Sequence, residues 1–274
     1  MNIRAICTDI DGTLLDSNRQ ISARTKRAFS KLPSDFPIIL ASSRMPSAMT
    51  HLLQEVNRDN NPLICYNGGY VLGRSASQKT HQPLDSVCIP LGECVRILEM
   101  AKGTSIHISL YCADEWYAPQ MDKWTQKEEL ATKVQTVISP SNQVFEKWAN
   151  EATGAHKVMC MGNAREIDQL FTSLQEDLGS TLHLYRSKNT YIEIAPKSIS
   201  KASGLELVLS TCFDISLAEV MAFGDNYNDI ELLSAVGKGI AVENARDEVK
   251  AVADEITAKN TEDGVAIAIE KFLL

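Results

Sequence analysis

At 274 residues the chain is long enough for one large domain or two modest ones, and its 44% hydrophobic and 23% charged content is that of an ordinary globular protein. A formal net charge of −8 argues against a nucleic-acid backbone as partner, and no stretch is long and apolar enough to span a bilayer. Seven cysteines at irregular spacing, with no Cys-x-x-Cys and no secretory signal at the N-terminus, lead us to expect reduced, mostly buried thiols in a cytoplasmic protein.

The chain opens with an apolar run, Ile3–Thr8, of strand length. Asp9 and Asp11 follow at its C-terminal end, where open α/β sheets bind ligands, and Gly12 turns the chain. Two carboxylates so close raise each other's pKa, and a bound Mg²⁺ is the simplest relief. A helix is predicted over 21–30 with Ser22 as N-cap, then a buried strand over 36–41 ending at Ser42-Ser43-Arg44. Pro46 opens a further helix to about Val56, and Leu63–Tyr66 is a third strand closed by the turn Asn67-Gly68-Gly69. Strands alternating with helices predict a parallel sheet with helices on its faces.

The rhythm changes after Leu72. The polar stretch 73–82 reads as exit strands and a linker, and a second α/β unit follows. It has helices over 92–101, 121–132 and 164–177, strands over 105–111, 157–161 and 181–185, and an extended piece around Trp116. Tyr191–Ala195 is predicted to carry the chain back to the first unit, and Lys201 to open a helix to Cys212. Leu217–Phe223 is another buried strand, with the Gly224-Asp225 turn at its end. Strands over 239–242 and 255–257, with helices over 245–251 and 263–272, complete the sheet.

The run Asp9-Ile10-Asp11-Gly12-Thr13-Leu14 resembles the first motif of the haloacid dehalogenase-like (HAD) phosphohydrolases. Three further stations of that family occur in order: Ser42, Lys201 within Ile199-Ser200-Lys201, and Gly224–Asp229. The resemblance implies an α/β fold, a Rossmann-like parallel-sheet core over 1–82 and 189–274, with an inserted α/β cap over 83–188 that sets substrate specificity. An insertion between the second and third motifs is similar to a C2-type cap. Tyr66–Gly69 and Tyr191–Lys201 look like the Cof-type subfamily.

The resemblance also implies roles. Asp9 is the nucleophile, since an aspartate forms an acyl phosphate that water can cleave. Asp11 protonates the leaving oxygen and then activates water. Mg²⁺ is held by Asp9, Asp225 and the Asp11 carbonyl, with Asp229, one helical turn past Asp225, assisting through water or hydrogen bonds. Lys201 neutralises nucleophile and phosphoryl group, with Lys197 as its rival. Ser42, Ser43, Asn67 and Asn228 join Lys201 as candidate phosphate- or substrate-binding residues. Relatives commonly carry Thr-Gly-Arg where this chain has Ser42-Ser43-Arg44. Ser42 keeps the hydroxyl, whereas a side chain at Ser43 can narrow the backbone's approach to a ligand. Arg44 pairs with an acid or touches substrate, and pairing is favoured.

In the cap, the alternation of Ile106, Ile108 and Leu110 with Ser105, His107, Ser109 and Tyr111 predicts one packed and one open face, as does Leu182 and Leu184 against His183 and Tyr185. His107, Tyr111, His183 and Tyr185 are therefore expected to line the substrate side. The function expected is a Mg²⁺-dependent phosphatase of a small phosphorylated metabolite, a sugar phosphate foremost, acting as a monomer or small homo-oligomer. A phosphomutase using the same aspartate, or a non-catalytic regulator that binds a phosphometabolite, is the alternative.

Overall fold

A computed structural model describes residues 2–73 and 80–274. Most of the expected linker over 73–82 lies outside the described residues. The chain divides into two compact units. One comprises Met1–Arg44, Met49–Asp85 and Ser200–Leu274, the other Met45–Ala48 and Ser86–Ile199.

The first unit is built on β1 (Ala5–Thr8), α1 (Ala23–Lys31), β2 (Ile38–Ala41), α2 (Ser47–Glu55), β3 (Leu63–Cys65), β4 (Tyr70–Gly73) and β5 (Gln82–Ser86). In the second, the chain continues through α3 (Leu91–Met100), β6 (His107–Cys112), β7 (Glu115–Ala118), α4 (Lys123–Thr132), β8 (Val137–Ile138), α5 (Ser141–Asn150), β9 (Lys157–Met161), α6 (Ala164–Leu178), β10 (Leu182–Lys188) and β11 (Tyr191–Pro196). It then completes the first unit with α7 (Lys201–Cys212), β12 (Val220–Gly224), α8 (Ile230–Ala235), β13 (Lys238–Val242), α9 (Asp247–Val252), β14 (Glu255–Thr257) and α10 (Gly264–Phe272).

The first sheet has the order β14-β13-β12-β1-β2-β3-β4-β5. The six strands from β14 to β3 run parallel, and β4 turns back antiparallel on β3. Ala5, Cys7, Ile39 and Ala222 bury one face against Leu205, Val208 and Leu209 of α7 and Leu232 and Leu233 of α8. Strands covered on both faces need apolar residues throughout, which is why β1 and β2 read as unbroken hydrophobic runs. Ser22 accepts a hydrogen bond from the Thr25 amide at the start of α1, as its capping position predicts. From β1 the chain winds outward through β2 and β3, then returns to the other flank of β1 as β12. Strand order reverses between β1 and β12, and in open α/β sheets the crevice at the C-terminal ends beside such a point is where ligands bind.

The second unit's sheet has the order β10-β11-β9-β6-β7-β8 and is antiparallel except for β7 and β8. Ile108, Leu110, Val158 and Ile192 pack one face on Cys94 and Ile97 of α3, Val144 and Trp148 of α5, and Ile167, Leu170 and Leu174 of α6. Two expectations are corrected here. Tyr191–Ala195 does not return to the first unit: a two-residue turn at 189–190 folds it back on β10 as a hairpin, and it also pairs with β9. A short turn offers a strand the nearest available partner, so the second unit runs on to Ile199 rather than ending at 188.

The face carrying His107 and Tyr111 is likewise not open. The register does set His107 and Ser109 on one face with Met161, Met159, Tyr191, Glu193 and Tyr185. Yet all six residues of β6 are buried, His107 at 4% and Tyr111 at 3% exposure. His107 Nδ1 meets Asp122 Oδ2 at 2.9 Å, at the cap of α4, and its Nε2 meets Ser109 Oγ at 2.9 Å. Tyr111 stacks on Trp116 at 5.7 Å, and Trp124 of α4 packs edge-on against Tyr191. Period-two alternation identifies a face but cannot tell what covers it. His183 and Tyr185 are half-buried, with their rings 5.2 Å apart. Among the described residues, no helix is long and apolar enough to cross a membrane.

Candidate active site

Three parallel strands deliver their C-terminal ends to the crevice: β1 brings Asp9 and Asp11, β2 brings Ser42, and β12 brings Asp225. The Asp9 amide donates to the Phe223 carbonyl at 3.0 Å, so the β1–β12 ladder runs right up to the nucleophile candidate. Gly12 then turns with φ of +88°. A Cβ there would lie 2.5 Å from Asp225 Oδ2, so glycine is required both by the backbone and by the close approach of the second strand's acid. Thr13 Oγ1 donates to Asp225 Oδ1 at 2.9 Å, and Asn244 Nδ2 to the Gly12 carbonyl at 2.7 Å.

Lys201 sits at the first turn of α7 with 0% exposure. Its Nζ donates to Asp9 Oδ1 at 2.5 Å and to Asp229 Oδ1 at 2.7 Å. The rival Lys197 instead donates to the Gly179 carbonyl at 2.9 Å, within the second unit. Asp229 uses its other oxygen to accept the amides of Asp225 and Asn226, at 2.9 and 3.0 Å. This corrects one expectation: Asp225 is not helical, so Asp229 does not share a helix face with it. Asn226 caps a short turn, Tyr227–Asp229, and Asp229 closes the capping box three residues on.

Ser42 is buried at the end of β2, and its carbonyl accepts the Asn67 amide at 2.9 Å. Asn67 has φ of +59°, and its Oδ1 accepts a hydrogen bond from Asn228 Nδ2 at 2.9 Å. Ser43 is half-buried and absent from the positive-φ positions of the described residues, so the backbone here does not demand the glycine usual in relatives. Arg44 pairs with an acid, as favoured, and that acid is Asp11. Its Nε and Nη2 grip Asp11 Oδ2 and Oδ1 at 2.6 and 2.7 Å, a bidentate clamp, while Arg19 adds a third bond at 3.0 Å.

The electrostatics follow from this placement. Burial raises the Asp9 carboxyl well above its usual range; Lys201 opposes that shift, and the charges of Asp229 and Asp225 reinforce it. Asp225 is pushed up to about 6 by burial and by Asp229. For Lys201 burial works against the charge, but Asp229 and Asp9 outweigh it and raise the ammonium further. Partial burial alone would raise Asp11, yet the Arg44 hydrogen bonds and charge, with Arg19, hold it below the usual carboxylate range.

The donor set fits a hard divalent cation. Asp9, Asp225 and Asp229 each offer an oxygen within 4.8 Å of the others, and neither His nor Cys belongs to the group. The Lys201 ammonium bonds Asp9 and Asp229, while burial, reinforced by the charge of Asp229, raises both Asp9 and Asp225.

Of the residues proposed from sequence, Asp9, Asp11, Ser42, Ser43, Asn67, Lys201, Asp225, Asn228 and Asp229 belong to the first unit, where Lys201 bonds both Asp9 and Asp229, and Asn67 bonds both Ser42 and Asn228. His107, Tyr111, His183 and Tyr185 all belong to the second unit. The structure adds Thr13, Arg19 and Asn244. Thr13 was readable as the last polar residue of the first motif. Arg19 and Asn244 stand in loops with no distinguishing pattern.

Acids gathered at the reversal point of a parallel sheet are what the HAD resemblance implies, and comparison with known proteins shows the family. The model of the haloacid dehalogenase-like hydrolase family matches residues 6–269, and the chain belongs to that family. It is 30% identical over 274 residues to a Haemophilus influenzae protein whose name places it provisionally among phosphatases, covering 99% of this chain and 98% of that one. It is 26% identical to the pyridoxal phosphate phosphatase of Escherichia coli, over all of both chains. A haloacid dehalogenase-like hydrolase from Bacteroides thetaiotaomicron superposes with a TM-score of 0.86 at 27% identity, over 99% of this chain and 100% of that one.

Proposed function

We propose that this hydrolase is a Mg²⁺-dependent phosphatase of a small phosphorylated metabolite, a sugar phosphate foremost, and that it works through a phosphorylated Asp9. The observation carrying this reading is the buried bond of 2.5 Å between Lys201 Nζ and Asp9 Oδ1, at the point where three strand ends converge. The bond fixes one carboxylate oxygen and leaves the other to attack. Names of relatives support the substrate class: one is a pyridoxal phosphate phosphatase, another an HMP-PP phosphatase.

In the first half-reaction an Asp9 oxygen bonds to phosphorus as the P–O bond to the leaving group breaks. The departing oxygen takes a proton from Asp11. In the second, Asp11 takes a proton from water as that water's oxygen bonds to phosphorus, releasing phosphate and restoring the Asp9 carboxylate. Clamped by Arg44, Asp11 is an acceptor, the state suited to activating water; to donate, its carboxyl must leave the guanidinium. Asp9, Asp225 and the Asp11 carbonyl would hold Mg²⁺, with Asp229 behind them bound to Lys201 and two amides. When bound, the ion supplies positive charge that neutralises the phosphoryl oxygens. Ser42 and Asn228 donate hydrogen bonds to those oxygens, and Lys201 gives its charge to them and to Asp9. The second unit selects the leaving group, with His183 and Tyr185 as its candidates.

The test is phosphate release from p-nitrophenyl phosphate, with Mg²⁺ and after exhaustive EDTA treatment. Turnover restored by Mg²⁺ supports the reading. Full activity in EDTA, or activity above a few per cent in folded Asp9→Asn, overturns it.

A further inference from the structure

The second unit contains a cluster of reactive side chains that the proposed phosphatase chemistry does not use. Cys88, three residues before α3, lies with its sulfur 3.6 Å from His156 Nε2 and 3.7 Å from Thr153 Oγ1. Cys112, the last residue of β6, reaches the same hydroxyl, with its sulfur at 3.8 Å. Two thiols distant in sequence thus share one hydroxyl beside one imidazole.

The backbone holds this arrangement firmly. The Ile89 amide donates to the Ala155 carbonyl at 2.7 Å. Gly154 allows that approach, because a Cβ there would stand 2.1 Å from the Ile89 carbonyl oxygen. On the other side the His156 amide donates to the Tyr111 carbonyl at 2.8 Å, fixing the imidazole against the end of β6. Ala113, in the left-handed region at φ of +49°, turns its N–H onto His156 Nδ1 at 2.9 Å. A nitrogen that accepts from a backbone amide carries no proton, so the ring proton lies on Nε2. Nε2 faces Ser86 Oγ at 3.0 Å and the sulfur of Cys88. The sulfur of Cys88 lies 3.6 Å from Nε2 and 3.8 Å from Nδ1, against the flank of the imidazole.

We propose that Cys88 and Cys112 form a peroxide-oxidisable dithiol, with Cys88 as the reacting sulfur, Cys112 as the resolving one and His156 as the positioning residue. The Cys88 thiolate attacks one oxygen of hydrogen peroxide, the O–O bond breaks, and the second oxygen leaves as water after taking a proton. The sulfur of Cys112 then attacks the sulfenic sulfur of Cys88. The S–O bond breaks, the departing hydroxide takes the Cys112 proton, and a disulfide and a second water remain. Two thiols are oxidised by two electrons and one peroxide is reduced.

Exposure and charge agree with this order. Cys88 is half-buried and Cys112 buried, so peroxide meets Cys88 first. A hydrogen bond from Cys112, with help from His156 and Thr153, overcomes burial and holds the Cys88 thiol well below its usual range; the same bond, with burial, pushes Cys112 up. Cys7, Cys94 and Cys160 are buried and raised, and do not compete. Cys212, the other half-buried thiol, is the internal control.

The experiment uses the full, reduced chain. Iodoacetamide at pH 6 should alkylate Cys88 at least about tenfold faster than Cys212, because an ordinary thiol is almost wholly protonated there. After stoichiometric hydrogen peroxide and blocking of free thiols, a non-reducing peptide map should show the Cys88 and Cys112 peptides joined, two hydrogens lighter than their sum. Cys112→Ser should instead leave a sulfenic acid on Cys88 that dimedone traps, and His156→Asn should slow Cys88 alkylation. Equal alkylation of Cys88 and Cys212 overturns the proposal. So does a map in which Cys88 passes to the sulfinic acid unbridged, or bridges to another cysteine. The wild-type map decides the matter even if a variant fails to fold.

Discussion

Replacing Lys201 by Met tests what holds the crevice together. The ammonium is fully buried and ion-paired at 2.5 Å to Asp9 and 2.7 Å to Asp229, and Asp229 in turn fixes the amides of Asp225 and Asn226. Methionine matches the stem's volume and apolar packing, so the change removes charge and hydrogen bonds with little cavity. Two carboxylates are then left facing each other in the interior. Removing one partner of a buried ion pair costs ~3–5 kcal/mol, chiefly from the uncompensated charge left behind. For a chain of this size that corresponds to a fall in Tm of about 6–20 °C. Calorimetry in EDTA, so that no cation substitutes for the ammonium, reads the effect in the transition of the first unit. Adding Asp229→Asn keeps an oxygen for the two amides while removing one stranded charge. The double variant should regain on the order of 1–2 kcal/mol over Lys201→Met, the size of coupling between touching residues. A Tm within about 2 °C of wild type for Lys201→Met, or penalties that simply add in the double variant, would refute the account.

Asp9→Asn and Asp11→Asn should each abolish phosphate release while leaving the circular dichroism spectrum that of a folded chain, since the asparagine at position 9 keeps an oxygen for Lys201, which retains its ion pair to Asp229. Gly12→Ala should lose ~1–2 kcal/mol from the left-handed backbone alone and weaken Mg²⁺ binding, read by titration calorimetry, because its Cβ would displace Asp225. An unchanged Mg²⁺ affinity would remove Gly12 from the site. Alanine at His183 and Tyr185 should reorder activity across a panel of sugar phosphates, nucleotides and cofactor phosphates while p-nitrophenyl phosphate hydrolysis is largely retained. An unchanged order would make them surface residues.

The sheet of the first unit was legible in the sequence because its information is local. A parallel strand buried on both faces must be apolar throughout, so β1, β2 and β12 announce themselves, and each ends in the acid or hydroxyl it delivers to the crevice. The family motifs add an order in the chain, which singles out Asp9, Ser42, Lys201 and Asp225 without any knowledge of distance. What the sequence left open depends on partners far away along the chain. Lys197 stands as a rival to the preferred Lys201 until α7 buries Lys201 against Asp9, while Lys197 bonds to Gly179. Arg44 and Asp11 are 33 positions apart, and only the packing of β2 beside β1 makes them a bidentate pair. In the second unit, alternation correctly assigned His107 and Tyr111 to one face, but whether that face meets water was decided by α4, whose Asp122 and Trp124 reach His107 and Tyr191. The hairpin at 189–190 likewise claimed a strand that periodicity could not assign to either sheet. Side-chain periodicity is a property of one strand's own backbone, whereas burial, ion pairing and strand partnership are properties of pairs of elements that only folding brings together.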